Sequence, residues 1–167
     1  MLCISGGTAF STFKLEKLRD VIRTYVDDDI DIHAEFLHFI DVSDHLNDNE
    51  QIILNRLLNH DSDDLSHLPN NPYLSRATGI IIPRFGTISP WSSKATDIFH
   101  QCGLHKIRRI ERGIAFYLGT TNKDIFNAIQ PLLYDRMTET FLSDPTELPQ
   151  LFAQAEPTPL LLIDVLT

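Results

Sequence analysis

Hydrophobic and polar positions alternate with two different periods along the chain, and the switches between those periods mark its elements. Leu2 to Ser5 is a short apolar run ending in Gly6-Gly7, a strand candidate, after which Ser11 or Thr12 can cap a helix. Leu15, Leu18, Val21, Ile22, Tyr25 and Val26 recur at helical spacing, with Lys14, Glu16, Lys17, Arg19, Asp20 and Arg23 on the other side. From Ile30 to Val42 the period is two. Ile32, Ala34, Phe36, Ile40 and Val42 share one face and Asp31, His33, Glu35 and Asp41 the other, which predicts a long strand. His38 falls on the apolar face, where a satisfied core histidine is the ordinary outcome. Asn47 followed by Glu50 has the form of a capping box and opens a helix with Ile53, Leu54, Leu57 and Leu58 inward.

Asp27-Asp28-Asp29 reads as a solvated loop, and HDSDDLSHLPNNPYLSR (60–76), acidic and without a sustained period, as the longest connection. Gly79 to Ile82 is a β-branched run broken at Arg84-Phe85-Gly86-Thr87, where Gly86 can take a positive φ. Ser89-Pro90 then puts a hydroxyl at an N-cap and a ring at the first helical position. Trp91, Ala95, Ile98, Phe99 and Cys102 follow on one helix face, expected to be buried, and Gly103 supplies the stop. His105 to Glu111 and Ile114 to Leu118 are expected to form a hairpin turning at Arg112-Gly113. Thr121 or Asn122 caps a helix bearing Ile125, Phe126 and Ile129, with Pro131 kinking or restarting it before Leu132, Leu133, Met137 and Phe141. Ser143 to Pro159 is proline-bearing and weakly patterned, hence linker. The apolar stretch from Leu160 to Leu166 is the expected sign of a chain cut inside a longer polypeptide.

Composition narrows the function classes. With 167 residues, 43% hydrophobic and 22% charged, the chain can build a real core. A net charge of −9 disfavours a general nucleic-acid or anionic-membrane surface. The charge is uneven: Arg84, Lys94, Lys106, Arg108, Arg109 and Arg112 lie in one stretch with only Asp97 and Glu111 against them, so a local acidic partner fits, as does a merely solvated strand pair. Cys3 and Cys102 are expected to be free thiols in a reducing cytoplasm. No apolar run is long enough for a membrane helix, and the start of the chain has no export signal. The histidines and cysteines lack metal-ligand spacing, and phosphate-cradling glycine loops and a G-x-S-x-G turn are missing. A nucleophile pair from Cys102 with His38 or His100 is a poor candidate for want of an activator.

One stretch gathers polar groups around a helix start. Thr87, Ser89, Ser92, Ser93 and Lys94 stand beside the free amides and positive dipole end at Ser89, where an anion or a partner's carboxylate would be welcome. The same serines can equally do no more than cap and solvate the helix, and Trp91 can be either a contact residue or core filler.

RFGTISPWSSKATDIFHQCGL (84–104) resembles the signature run near the N-terminus of the large, single-chain phosphoribosylformylglycinamidine synthases. AEFLHFIDVSDHLNDNE (34–50), IRRIERGIAFYL (107–118) and LLYDRMTETF (132–141) are similar to the same region and occur in the same order. The resemblance implies an α+β fold of duplicated ferredoxin-like or PurS-like units with helices on antiparallel sheet. It places that domain at 1–142, with sub-units of about 1–60 and 77–142, and a linker and truncated next domain at 143–167. It further implies a cytoplasmic scaffolding part that docks on the synthetase and glutaminase domains of the parent enzyme and helps enclose the route for ammonia. That contact would use Arg84, Thr87, Ser89, Trp91, Ser92, Ser93, Lys94 and Asp97. ATP and magnesium are implied for the parent only, with no cofactor, metal or catalytic residue in this chain. The alternative is a stand-alone regulatory module binding a small anion at Ser89.

Overall fold

The computed structural model describes residues 1–26, 30–58, 66–67, 74, 77–120 and 122–153. At its centre two long strands, β2 (Ile32–Val42) and β5 (Ile107–Leu118), pair antiparallel from Ile32 opposite Leu118 to Asp41 opposite Arg109, with a bulge before Val42 opposite Ile107. β1 (Leu2–Thr8) flanks β2, and β4 (Gly79–Pro83) flanks the far half of β5. β3 (Ser66–His67) and β6 (Glu139–Leu142) form the edges, giving the order β3-β1-β2-β5-β4-β6. Helices α1 (Thr12–Tyr25), α2 (Asp48–Leu57), α3 (Pro90–Gln101) and α4 (Lys123–Leu133) complete an α+β domain with helices on an antiparallel sheet, compatible with ferredoxin-like packing. A strand-helix-strand-helix-strand order occurs twice along the chain.

The hairpin expected at Arg112-Gly113 does not form; β5 runs straight through both residues. Every residue from Arg109 to Leu118 has a partner on β2, and an uninterrupted ladder outweighs the weakening that one glycine brings. Gly113 is there for closeness rather than for turning. A Cβ on it would sit 2.6 Å from the Ile81 carbonyl oxygen and 2.9 Å from the Phe39 ring.

Register decides which side chains share a face. Leu2 and Ile4 of β1, Ile40 and His38 of β2, and Ile110 and Arg112 of β5 point to one side, and the helices cover that side in two groups. Leu54 and Leu58 at α2, with Phe99 and Leu104 at α3, close over Leu2, Ile4, Ile40, Ile107 and Ile110. Ile22 of α1 and Ile129 and Leu133 of α4 close over Ile32, Ala34, Ile81 and Phe116. Phe36, His38 and Arg112 lie in the waist between the two groups. The opposite face of β2 is not purely polar, as the alternation suggested: Leu37 and Phe39 are buried there with Cys3, Ile80, Ile82 and Ala115.

That second core also captures the stretch read as linker. Pro145–Phe152 is a 3-10 helix capped by Asp144, and its Leu148 and Leu151 are fully buried. Each such leucine is worth about 1.5–3 kcal/mol, enough to hold a short segment that local pattern alone would leave loose.

Helix starts follow the sequence closely. Ser11, Asn47, Ser89 and Asn122 are the caps, and Gly86 and Gly103 adopt φ of 76° and 88° as their turns require. The apolar stripes were drawn too wide. Val21, Tyr25, Leu57 and Ile98 are exposed, and so is Cys102, which had been placed on the buried face. α4 continues through Pro131 and ends at Leu133, so Met137 stands exposed in a turn and Phe141 belongs to β6. Asp27-Asp28-Asp29, residues 154–167 and all of the 60–76 connection but Ser66, His67 and Leu74 lie outside the described residues.

The capping box at α2 carries a pH dependence. Glu50 accepts from Lys106 Nζ at 2.8 Å and from the Asn47 amide at 2.7 Å, and these two hydrogen bonds, the lysine's first, hold its pKa below the usual carboxylate value. A carboxyl whose folded pKa is depressed contributes stability that is present above its unfolded pKa and disappears as pH falls through the folded one. Protection of the Asn47 amide, measured against the unstructured chain at the same pH, is therefore expected to fall once pH drops below about 4, the ordinary glutamate range. Glu50→Ala should show little protection at neutral pH and lose that acid step.

Candidate functional site

Chain direction brings the start of α3 to the edge of β5 just where β4 has turned away to pair with β6. The Ile110 amide, beyond the last β4 pairing at Ile114, donates to Thr96 Oγ1 of the helix at 3.3 Å. Two turns earlier the Ser89 amide and hydroxyl donate to the two oxygens of Glu111, at 3.2 and 2.7 Å, while Ser89 Oγ accepts from the Ser92 amide at 3.0 Å. Glu111 has no exposure to solvent, so its charge must be answered inside the protein. Arg109 answers it with Nε at 3.1 Å and a terminal nitrogen at 2.6 Å, and also donates to the Thr87 carbonyl at 2.8 Å. The Arg109 guanidinium lies 5.3 Å from the centre of the Phe152 ring, which ties the 3-10 helix to the same corner.

The helix end that the sequence left open to an outside anion is thus met by the chain's own carboxylate. The basic stretch is largely answered too. Lys106 pairs with Glu50, and Arg108 holds Asp41 through two hydrogen bonds of 2.9 and 2.7 Å, the contact that raises the arginine's pKa. Arg84, Lys94 and Arg112 have no carboxylate partner among the described residues.

Two open cavities flank the start of α3. The larger, about 540 Å³, has Arg84, Thr87, Ser89 and Trp91 on its wall together with Phe36 and Arg112 from the sheet and Met137 and Glu139 from the turn before β6. The smaller, about 340 Å³, takes Ser92, Ser93 and Asp97 with Asp41, Arg108 and Arg109. Lys94 is exposed on the helix and belongs to neither wall. Of the predicted residues, then, Arg84, Thr87, Ser93, Lys94 and Asp97 face solvent, Ser92 is buried, and Ser89 and Trp91 are half-buried. Trp91 is both core and wall. It packs on the α2–α3 group and stacks on buried His38 with ring centres 5.5 Å apart.

Sequence reasoning missed Glu111, Arg112, Phe36 and the Met137–Glu139 turn as parts of this site. The alternation Ile110, Arg112, Ile114, Phe116 would have placed Arg112 on the apolar face had the segment been read as a single strand. No local signal points to Met137.

Burial separates the two thiols. It pushes Cys3 up to about 12, whereas Cys102 is exposed. One thiol per chain is expected to react promptly with a disulfide reagent in native buffer, Cys102→Ala should remove that reaction, and Cys3 should react only on unfolding. Among the described residues, His, Cys, Asp and Glu form no group that could hold a metal. No helix there is long and apolar enough to cross a membrane.

Removing one partner from a buried ion pair leaves an uncompensated charge and costs about 3–5 kcal/mol. Glu111→Ala is expected to lower unfolding stability by that amount in urea titration. Ser89→Ala, which keeps the Arg109 pair, should cost only about 1–2 kcal/mol.

A family model described as formylglycinamide ribonucleotide amidotransferase N-terminal matches residues 35–152, from early in β2 to the end of the 3-10 helix. The match takes in the central strand pair, α3 and both cavities, and runs beyond the boundary at 142 to include the helix that seats Phe152 on Arg109. With the match spanning most of its length and all of the Ser89–Glu111–Arg109 corner, the chain belongs to the N-terminal domain family of the formylglycinamide ribonucleotide amidotransferases, the phosphoribosylformylglycinamidine synthases of purine biosynthesis.

Proposed function

We propose that this domain is a scaffold rather than a catalyst: it docks on the synthetase and glutaminase domains of an amidotransferase and helps enclose the path of ammonia between them. The parent reaction is ATP-dependent amidation of formylglycinamide ribonucleotide in the cytoplasm, with ATP and magnesium acting in the synthetase domain. The observation that carries this reading is the surface at the start of α3. Arg84 and Lys94 are exposed cations with no described partner, in a region where Lys106, Arg108 and Arg109 are all paired within the chain. Beside them Ile88 is 58% and Met137 76% exposed, so apolar area and unanswered charge occur together, as at the core and rim of a protein interface. Thr87, Ser93 and Asp97 complete the outward-facing set, while Ser89, Ser92 and Trp91 support it from beneath. The rival reading, a small-anion module at Ser89, loses its binding place to Glu111.

In the intact amidotransferase, reversing both charges with Arg84→Glu and Lys94→Glu should lower glutamine-dependent synthesis by about tenfold, the effect of losing 1.4 kcal/mol at an interface. Synthesis supplied with free ammonia should change by less than about twofold, because the synthetase chemistry is untouched. Equal loss of both activities with the fold intact, or no loss of either, would refute the docking role.

A further inference from the structure

Arg112 stands in the waist between the two helix groups and pairs with no acid among the described residues. Its guanidinium carbon is 4.3 Å from the centre of the Phe36 ring and 4.9 Å from that of Trp91. A cation over an aromatic ring is held through the π face and leaves its N–H donors unused. Among the described residues no hydrogen-bond acceptor meets those donors, and burial without a counter-charge draws the arginine's pKa below its ordinary value. Comparably shielded cations nearby behave otherwise: Lys106 holds Glu50 and Arg109 holds Glu111. A half-buried guanidinium kept rigid by two rings and left with free donors is costly to maintain for packing alone.

Its donors have somewhere to act, since Arg112 lines the larger cavity. At about 540 Å³ that cavity falls in the size range of small-molecule sites, and its walls are mostly apolar, with Phe36, Ile81, Ile114 and Trp91 among them. Arg84 adds a second positive charge at the wall. Glu139, the acid present there, accepts from the amide of Asp135 at 2.9 Å within its own turn and forms no ion pair with Arg112. Arginine's fork suits two oxygens of one planar or tetrahedral anion.

We infer that this cavity binds a small anionic molecule, a carboxylate or phosphate carried on a flat apolar body, with Arg112 taking the charge and the Phe36 and Trp91 rings taking the body. The cavity shares Arg84, Thr87, Ile88, Ser89, Trp91 and Met137 with the surface assigned to docking, but Arg112, which takes the charge, is not part of that surface, so binding by the isolated chain tests this inference without the docking partners.

The chain contains a single tryptophan, Trp91, which reports directly on the cavity. Fluorescence titrations of the 167-residue chain with phenyl phosphate, benzoate and inorganic phosphate, at constant ionic strength, form the test. A saturable change with phenyl phosphate or benzoate is expected, at least about tenfold tighter than with inorganic phosphate because the rings take the body. The stronger of the two aromatic probes tells phosphate from carboxylate. Arg112→Met should abolish saturation, Arg112→Lys should weaken it about tenfold through loss of the bidentate fork, and Arg84→Met should weaken it by less than Arg112→Lys does. If Arg112→Met does not fold, the lysine variant, which keeps charge and stem, decides. A response linear in probe concentration, equal saturation in the Arg112→Lys variant, or inorganic phosphate binding as tightly as phenyl phosphate would each overturn the inference.

Discussion

A single carboxylate sets the terms for one end of the molecule. Glu111 projects from the central strand into a place without solvent, and an ion there is tolerable only if each of its oxygens is hydrogen-bonded and its charge is matched. The start of α3 supplies the first condition through the Ser89 amide and hydroxyl, and Arg109 supplies the second. Consequently the loop from Arg84 to Ser89, the helix that follows and the 3-10 helix carrying Phe152 are all held to β5 by one polar node. Removing the hydroxyl of Ser89 leaves the charge matched; removing Glu111 leaves Arg109 unmatched. These two losses differ in kind, not only in degree.

The same strand serves a second purpose one residue later. Because side chains alternate along β5, Glu111 looks toward the buried second core while Arg112 looks into the waist of the helix-bearing face. Helices α1 to α4 gather in two groups on this face, and the space between the groups is filled from the sheet side by Phe36, His38 and Arg112. Trp91, at the head of α3, then leans on His38 and Arg112 together. A rigid helix start thereby forms one wall of a cavity whose floor is sheet, the arrangement that favours a preorganised site.

The stretch matched by the amidotransferase N-terminal family includes the whole corner at the start of α3. Thiols do not mark that corner: Cys3 is buried in the sheet and Cys102 is exposed at the far end of α3. What distinguishes the α3 surface is instead the contrast between basic residues neutralised within the chain and the few left unanswered. Electrostatic free energy not used inside a domain is available for recognition outside it.

Local physics made much of this legible in advance. The Asn47–Glu50 box, the Ser89-Pro90 start, the Asn122 cap and the two-residue period of β2 rest on interactions within a few residues, so sequence alone determined that those elements form and where the helices begin. Family resemblance, carried by the run around Ser89, was legible for the same reason: it is a property of the chain's order. Tertiary structure alone decided that β5 runs through Gly113, because the ladder that holds it belongs to β2; that Leu148 and Leu151 are core, because the core they fill comes from distant strands; and that the anion at the start of α3 is Glu111, some twenty positions along the chain. Pairing, burial and charge compensation between remote segments leave no periodic trace in sequence, and the site is built from all three.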